Sequence, residues 1–264
     1  MKIIDTFLFF NELDLLEVRL NILDNFVDYF LITESDTTFS VNKKELFYKS
    51  NQEKFSKFKD KIIYNSVPIP QNISVTWDRE IYQRNSSFDV LKEIASDDDL
   101  ILTSDLDEIP STEVLDNVEE WYEPDVLYHF QQDMYMYFFN NYKTSNWYGT
   151  RGCSFSYLKN TTIDEIRQST EDYNKLSGSI IENGGWHFTY LGGENQIKYK
   201  LESFSHQEYN NNIIKDNIKN CLTNNSDVLG RNTDYKVVSL DDTFPEYILN
   251  NQQYLKKFII NDSH

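Results

Sequence analysis

The segment that most restricts this chain's fold is Asp99–Thr103, a short apolar run, and the acidic stretch it opens into, Ser104-Asp105-Leu106-Asp107-Glu108-Ile109-Pro110. An unbroken apolar run of this length suits a strand buried on both faces, as in a parallel sheet covered by helices. The preceding hundred residues repeat that theme. Lys2–Phe9 reads as a strand, and Asn11 is placed to cap a helix over Glu12–Leu23 with Leu13, Leu16, Leu20 and Leu23 on one face. Tyr29–Thr33 is a second strand ending at Glu34, and a Lys-rich helix follows near Asn51–Lys59. Lys61–Val67 is a third strand, stopped by Pro68 and Pro70, and one long helix is expected over Trp77–Ala95. Strands alternating with helices predict an α/β fold with a parallel sheet. Ligands of such sheets bind beyond the carboxyl ends of the strands, where Glu34, Asp105 and Asp107 fall.

The second half reads differently. Asp125–Asn140 and Thr150–Lys159 are rich in aromatic residues and predict antiparallel strands. Thr162-Ile-Asp-Glu165 is a capping box. Gly184–Gly193 reads as a strand framed by glycine pairs, and Glu194–Phe204 and Glu208–Cys221 as helices. Pro245 starts a last helix running to about Phe258. No repeat or Pro/Gly/Ser linker divides the chain, so one domain over 1–264 is expected, with 1–110 and 111–264 as its two halves.

Lys plus Arg number 25 and Asp plus Glu 43, a net charge of −18. Such a surface repels a phosphate backbone and argues against nucleic acid. An anionic ligand would need a cation to carry it. Asp105 and Asp107, spaced i, i+2 at a strand end, offer hard oxygen ligands suited to Mg²⁺ or Mn²⁺. The plainer alternative is a solvated turn capping a helix at Pro110, and Asp97-Asp98-Asp99 upstream reads as such a turn. Arg84 and Asn85 interrupt the apolar stripe Trp77, Ile81, Phe88, Leu91 and Ala95. Arg84 is therefore expected to reach a phosphate or a site carboxylate, or to form a structural ion pair with Asp105 or Glu108. Of four histidines, His129 falls in an apolar strand and His264 is terminal; His187 or His206 is left to complete a metal site. Tyr135, Tyr137, Trp147, Tyr148 and Trp186 offer ring faces for a sugar, or ordinary core packing.

Taken together, these segments resemble glycosyltransferase family 17, the β-1,4-mannosyl-glycoprotein 4-β-N-acetylglucosaminyltransferases. The resemblance rests on Asp5-Thr-Phe-Leu-Phe-Phe-Asn11-Glu12-Leu-Asp14-Leu-Leu-Glu17-Val-Arg19-Leu20, on Asp78-Arg79-Glu80 with Gln83-Arg84-Asn85, on Asp105-Leu-Asp107-Glu108-Ile-Pro110, on Gly185-Trp186-His187 and on Ser205-His206. It covers about residues 1–210. It implies a GT-A fold with a Rossmann-like sheet, an inverting mechanism, a UDP-GlcNAc donor, Mn²⁺ or Mg²⁺, and a glycan, glycolipid or glycoprotein acceptor. On this reading Asp105 and Asp107 face the ribose and metal, and His187 or His206 completes the metal site. Phe10, Asn11, Glu12 and Glu34 border the uridine, with Arg84 and Trp186 also at the donor. Inversion needs a general base; Glu182 is the first candidate, Asp133 and Glu208 the reserves. The familiar relatives carry a membrane anchor. This chain opens directly on its first strand and holds no long apolar run, and with only Cys153 and Cys221 it makes no disulfide framework, so a cytoplasmic enzyme is expected. Two rival readings are a haloacid-dehalogenase-type phosphatase, which also places D-x-D after an apolar strand, and a non-catalytic carbohydrate-binding protein.

Overall fold

The structure, a computed structural model, describes residues 1–169 and 178–260. The apolar runs become β1 (Ile3–Phe9), β2 (Tyr29–Glu34), β3 (Ile62–Ser66) and β4 (Leu100–Asp105), parallel neighbours in the order β3-β2-β1-β4. Parallel neighbours need crossovers. The Leu13–Leu23 helix joins β1 to β2, and the Thr76–Asn85 and Ser87–Ile94 helices join β3 to β4. Alternate residues bury opposite faces. Phe30 and Ile32 of β2 join the core under the Leu13–Leu23 helix, while Leu31 joins Ile4, Ile101 and Leu91 on the other side. Register then aligns the carboxyl ends: Phe9 lies opposite Glu34, and Leu8 opposite Asp105.

The sheet continues through β7 (Asn141–Ser154), β6 (Tyr128–Met136), β8 (Ser179–Thr189) and β5 (Glu108–Pro110), with β9 (Lys236–Val237) on β7. In a flat sheet, four strand spacings would carry β5 about 19 Å from β4. Asp105 and Glu108, three residues apart, can span only about 10 Å. The β7-β6-β8-β5 half therefore rolls back on itself, and the Asp105–Glu108 turn bridges its two edges.

Several elements depart from the expected spans. The helix expected over Trp77–Ala95 divides at Ser86, whose Oγ donates to Gln83 O at 2.6 Å and competes with the backbone ladder. The Asn51–Lys59 helix is a 3₁₀ helix over Gln52–Phe58, and the helix after Pro245 covers only Glu246–Asn250 before a 3₁₀ turn at Lys256–Phe258. Glu208–Cys221 resolves into a 3₁₀ turn and the Asn212–Thr223 helix. β7 begins nine residues earlier than expected and ends at Ser154, where Phe155–Leu158 turns helical. β6 and β8 pair in parallel, so the second half is mixed rather than purely antiparallel. The Thr162 capping box forms, with Glu165 returning the hydrogen bond. Cys153 and Cys221 are buried free thiols, and burial raises Cys153 to about 12. Among the described residues no helix is long and apolar enough to cross a membrane.

Candidate active site

The turn after β4 is held from beneath. Arg19, fully buried on the Leu13–Leu23 helix, grips both oxygens of Asp5 at 2.6 and 2.8 Å. Its remaining N–H groups donate to Ser104 Oγ at 2.7 Å and to the carbonyls of Asp105, Leu106 and Glu108 at 3.1, 3.1 and 2.8 Å. Glu108 Oε2 accepts from Asp105 N at 2.9 Å. With the backbone fixed, both aspartates face a cavity of about 430 Å³ at the ends of β1, β2 and β4.

Asp105 and Asp107 have separate cationic partners. Arg84 Nη2 donates to Asp105 Oδ1 at 2.9 Å, and Arg167 Nη2 lies 3.3 Å from Oδ2. Burial alone would raise the Asp105 carboxyl, but these guanidiniums outweigh it and hold it at about 2. Asp107 meets Lys200 Nζ at 2.9 Å and His187 Nε2 at 3.5 Å, which drive it far below the usual range despite its burial. Arg84 thus forms the expected ion pair with Asp105, and it lines the cavity. It also takes Glu80 Oε1 at 2.8 Å. Asn85 Oδ1 accepts from Asp164 N, docking the capping-box helix that carries Arg167. Arg167 in turn takes Glu108 Oε1 at 2.7 Å. Arg84 Nη1, Arg167 Nε and His187 Nδ1 are buried without a hydrogen-bond partner, the kind of donor an entering phosphate or hydroxyl would satisfy.

The other expected residues fall on several levels. Phe10 lines the cavity, its ring 4.9 Å from Tyr199. Glu12 lines it too. Asn11 instead exchanges two amide hydrogen bonds with Gln196 and borders a second cavity. Glu34 lies beneath the site, fully buried, its oxygens taken by Lys44 Nζ, the amides of Phe47 and Tyr48, and Tyr64 OH. Burial raises its carboxyl, and Lys44 offsets part of that. His187 is opposite Glu108 in the β5–β8 pairing, its ring 4.7 Å from that of Trp147 and tilted 31° to it. His206 lines the same cavity but bonds Glu208 at 2.6 Å and meets the Trp77 ring edge-on at 4.6 Å. His264 lies outside the described residues.

Trp186 and Glu182 are not brought to either cavity. Successive residues of a strand face opposite ways, so with His187 facing the cavity, Trp186 is buried in the core and donates to Thr243 O at 3.0 Å. Glu182 is exposed on β8. It lies five residues from His187, so strand alternation already turns it from the face His187 presents to the cavity, and the β6–β8 register also shifts between Ile181 and Gly185. Of the reserves, Asp133 is half-buried and raised by burial, and Glu208 is exposed against His206.

Cation fit rests on Asp107 and His187. Their facing Oδ1 and Nε2 could share one ion, and among the described residues no third His, Cys, Asp or Glu joins them. A divalent ion bound by one or two carboxylates commonly completes its shell with water and substrate phosphate, so the pair fits such an ion. The cavity also gathers Lys44, Arg84, Arg167 and Lys200, so protein cations stand beside its carboxylates to a degree the sequence did not reveal. No sequence signal marked Lys44, Arg167, Lys200 or the tie made by Arg19.

Glu12, Asp107, Tyr190 and Lys200 line both this cavity and a second of about 590 Å³.

The profile of glycosyltransferase family 17 matches residues 1–234. No curated protein sequence matches the chain. Among solved structures, the chain is similar to galactosyltransferase LgtC in complex with donor and acceptor sugar analogs (13% identity, TM-score 0.36, 67% of this chain and 65% of that one). It is also similar to the apo form of mouse xyloside xylosyltransferase 1 (8% identity, TM-score 0.32, 67% of this chain and 77% of that one). The chain thus aligns with less than two thirds of LgtC's length.

Proposed function

Because the chain belongs to glycosyltransferase family 17, we propose that it moves a sugar, GlcNAc, from UDP to a hydroxyl of a glycan, glycolipid or glycoprotein acceptor, with inversion to a β-linkage. The observation that carries this reading is the Asp105–Glu108 turn, fixed by Arg19 at the ends of β1, β2 and β4 with its carboxylates facing a cavity that also presents four cations.

The residues divide the work by charge. Phe10 and the end of β1 receive the uridine. Arg84 and Arg167 keep Asp105 ionised and oriented, and their N–H groups without a hydrogen-bond partner would take up the donor's diphosphate. Mn²⁺ or Mg²⁺ held by Asp107 and His187 would act as a Lewis acid toward the departing UDP. Lys200, on the other oxygen of Asp107, adds positive charge where the leaving group develops negative charge. The acceptor proton needs a carboxylate. Glu12 lines both cavities, and the one hydrogen bond to its carboxylate among the described residues is from Asn11 N at 3.0 Å. It is a stronger candidate than the exposed Glu182.

Calorimetric titration of UDP-GlcNAc, against other nucleotide sugars, with Mn²⁺ and then with EDTA tests the reading. Binding that weakens sharply on chelation and disappears in Asp107→Ala is expected, and no UDP-sugar binding under any condition would overturn it. Glu12→Gln should bind donor but lose transfer, with Glu182→Gln active; the reverse pattern would return the base to Glu182.

A further inference from the structure

We propose that the second cavity, of about 590 Å³, is the acceptor subsite and takes the neutral, hydroxyl-bearing end of a glycan. The assignment rests on the donor reading above. It begins from connectivity. Glu12, Asp107, Tyr190 and Lys200 line both cavities, so a donor sugar over Asp107 has the second cavity on its far side. A glycosyl group passing between the two need only cross the Asp107–Lys200 pair.

The walls define the ligand's chemistry. Asn11 and Gln196 present a paired amide at the cavity, a donor–acceptor set matched to sugar hydroxyls. Each described cation lining the cavity has a carboxylate partner: Lys257 Nζ lies 2.6 Å from Asp14, Lys54 Nζ 2.8 Å from Glu17 and Lys200 Nζ 2.9 Å from Asp107, while the Glu12 carboxylate has no cationic partner within salt-bridge distance among the described residues. Among the described residues no lining cation is left over to bind a carboxylated or phosphorylated sugar, and Glu12 would repel one. The aromatic wall is shaped by unusual backbone. Tyr137 and Tyr190 hold left-handed φ of 68° and 56°, beside Gly192 and Gly193 at 98° and 76°. Non-glycine residues keep such conformations where the surrounding structure over-determines them, and such positions concentrate at ligand sites. Lys257 and Phe258 close the cavity from beyond residue 234, where the family match ends. That wall lies outside the span matched by the family, so it is where acceptor choice is free to vary between members.

Saturation-transfer NMR with methyl glycosides of GlcNAc, mannose, galactose and glucuronic acid, with and without UDP and Mn²⁺, tests this. Asp14→Trp and Lys257→Trp fill the cavity from opposite walls. Both side chains are 42% or more exposed, so the fold should survive, as a thermal melt will show. A neutral glycoside should receive saturation from the UDP-bound wild type. Both variants should weaken that binding about tenfold or more, with UDP affinity unchanged. Neutral-glycoside signals that persist undiminished in both variants, no glycoside signal at all from a UDP-bound wild type, or a preference for the glucuronide would overturn the assignment. Failure of UDP itself to bind would sink the donor reading instead, and this assignment with it.

Discussion

At the scale of single residues, the site is shaped by side chains that need never touch substrate. Arg19 is the clearest. Its guanidinium neutralises Asp5 and donates to three carbonyls of the acidic turn, so it is a positioning residue. Removing one partner of a buried pair leaves the other charge uncompensated. Arg19→Ala should therefore lose about 3–5 kcal/mol in urea unfolding. Arg19→Lys should keep part of that stability, yet bind UDP more weakly, since one ammonium cannot hold both Asp5 oxygens and the turn. Asp99 is a second case. Within Asp97-Asp98-Asp99 it reads as a solvated turn residue, but it is buried and accepts from Lys2 N at 2.6 Å and Ser96 N at 2.8 Å. Burial pushes its carboxyl up, and these amides with the Lys2 ammonium more than reverse that, leaving it below the ordinary 3.8. A depressed carboxyl stabilises the fold above its unfolded value and loses that contribution as pH falls through the folded one. Asp99→Asn should cost about 2 kcal/mol at neutral pH, and the gap to wild type in urea midpoints should close as pH drops below about 4.

Secondary-structure elements set which residues can meet. The β5–β8 pairing brings His187 beside Glu108, and it depends on Gly185. There φ is +133°, and a Cβ would stand 2.2 Å from Ile109 O. Gly185→Ala should therefore cost about 2 kcal/mol or more and weaken UDP binding together with the melting temperature, because the strands must part and carry His187 off Asp107. The same pairing explains what the sequence could and could not tell. β1, β2 and β4 are legible because each is an apolar run long enough for a strand, and Asp105 and Asp107 follow directly from where β4 ends. Trp186 was misplaced because adjacency in sequence does not mean a shared face in a strand. Glu182 was misplaced for the same reason, since its five-residue spacing from His187 puts the two on opposite faces of a strand. β7 starts in polar residues, Asn141 to Asn146, which hide its period. Arg167 and Lys200 reach the site from helices about sixty and ninety residues past the acidic turn, and surface-type cations at such distance carry no local mark.

Considered whole, the molecule carries a charge of −18, yet its cations are not spread evenly. Lys44, Arg84, Arg167 and Lys200 gather at one cavity against five lining carboxylates (Glu12, Glu80, Asp105, Asp107 and Glu108), so the charge there is far closer to balance than over the molecule as a whole. The rolled half of the sheet has a consequence in time as well as in space. The acidic turn leaves β4 and enters β5, whose partner β8 is made some seventy residues later in the chain. Contacts of long sequence separation close late, after their loop entropy has been met. Donor binding should therefore return in the slowest phase of refolding, after far-UV helical signal, as stopped-flow circular dichroism and a fluorescent UDP analogue would record. A chain still emerging during synthesis would have its first four strands and its aspartates, but no competent site until β8 had closed the roll.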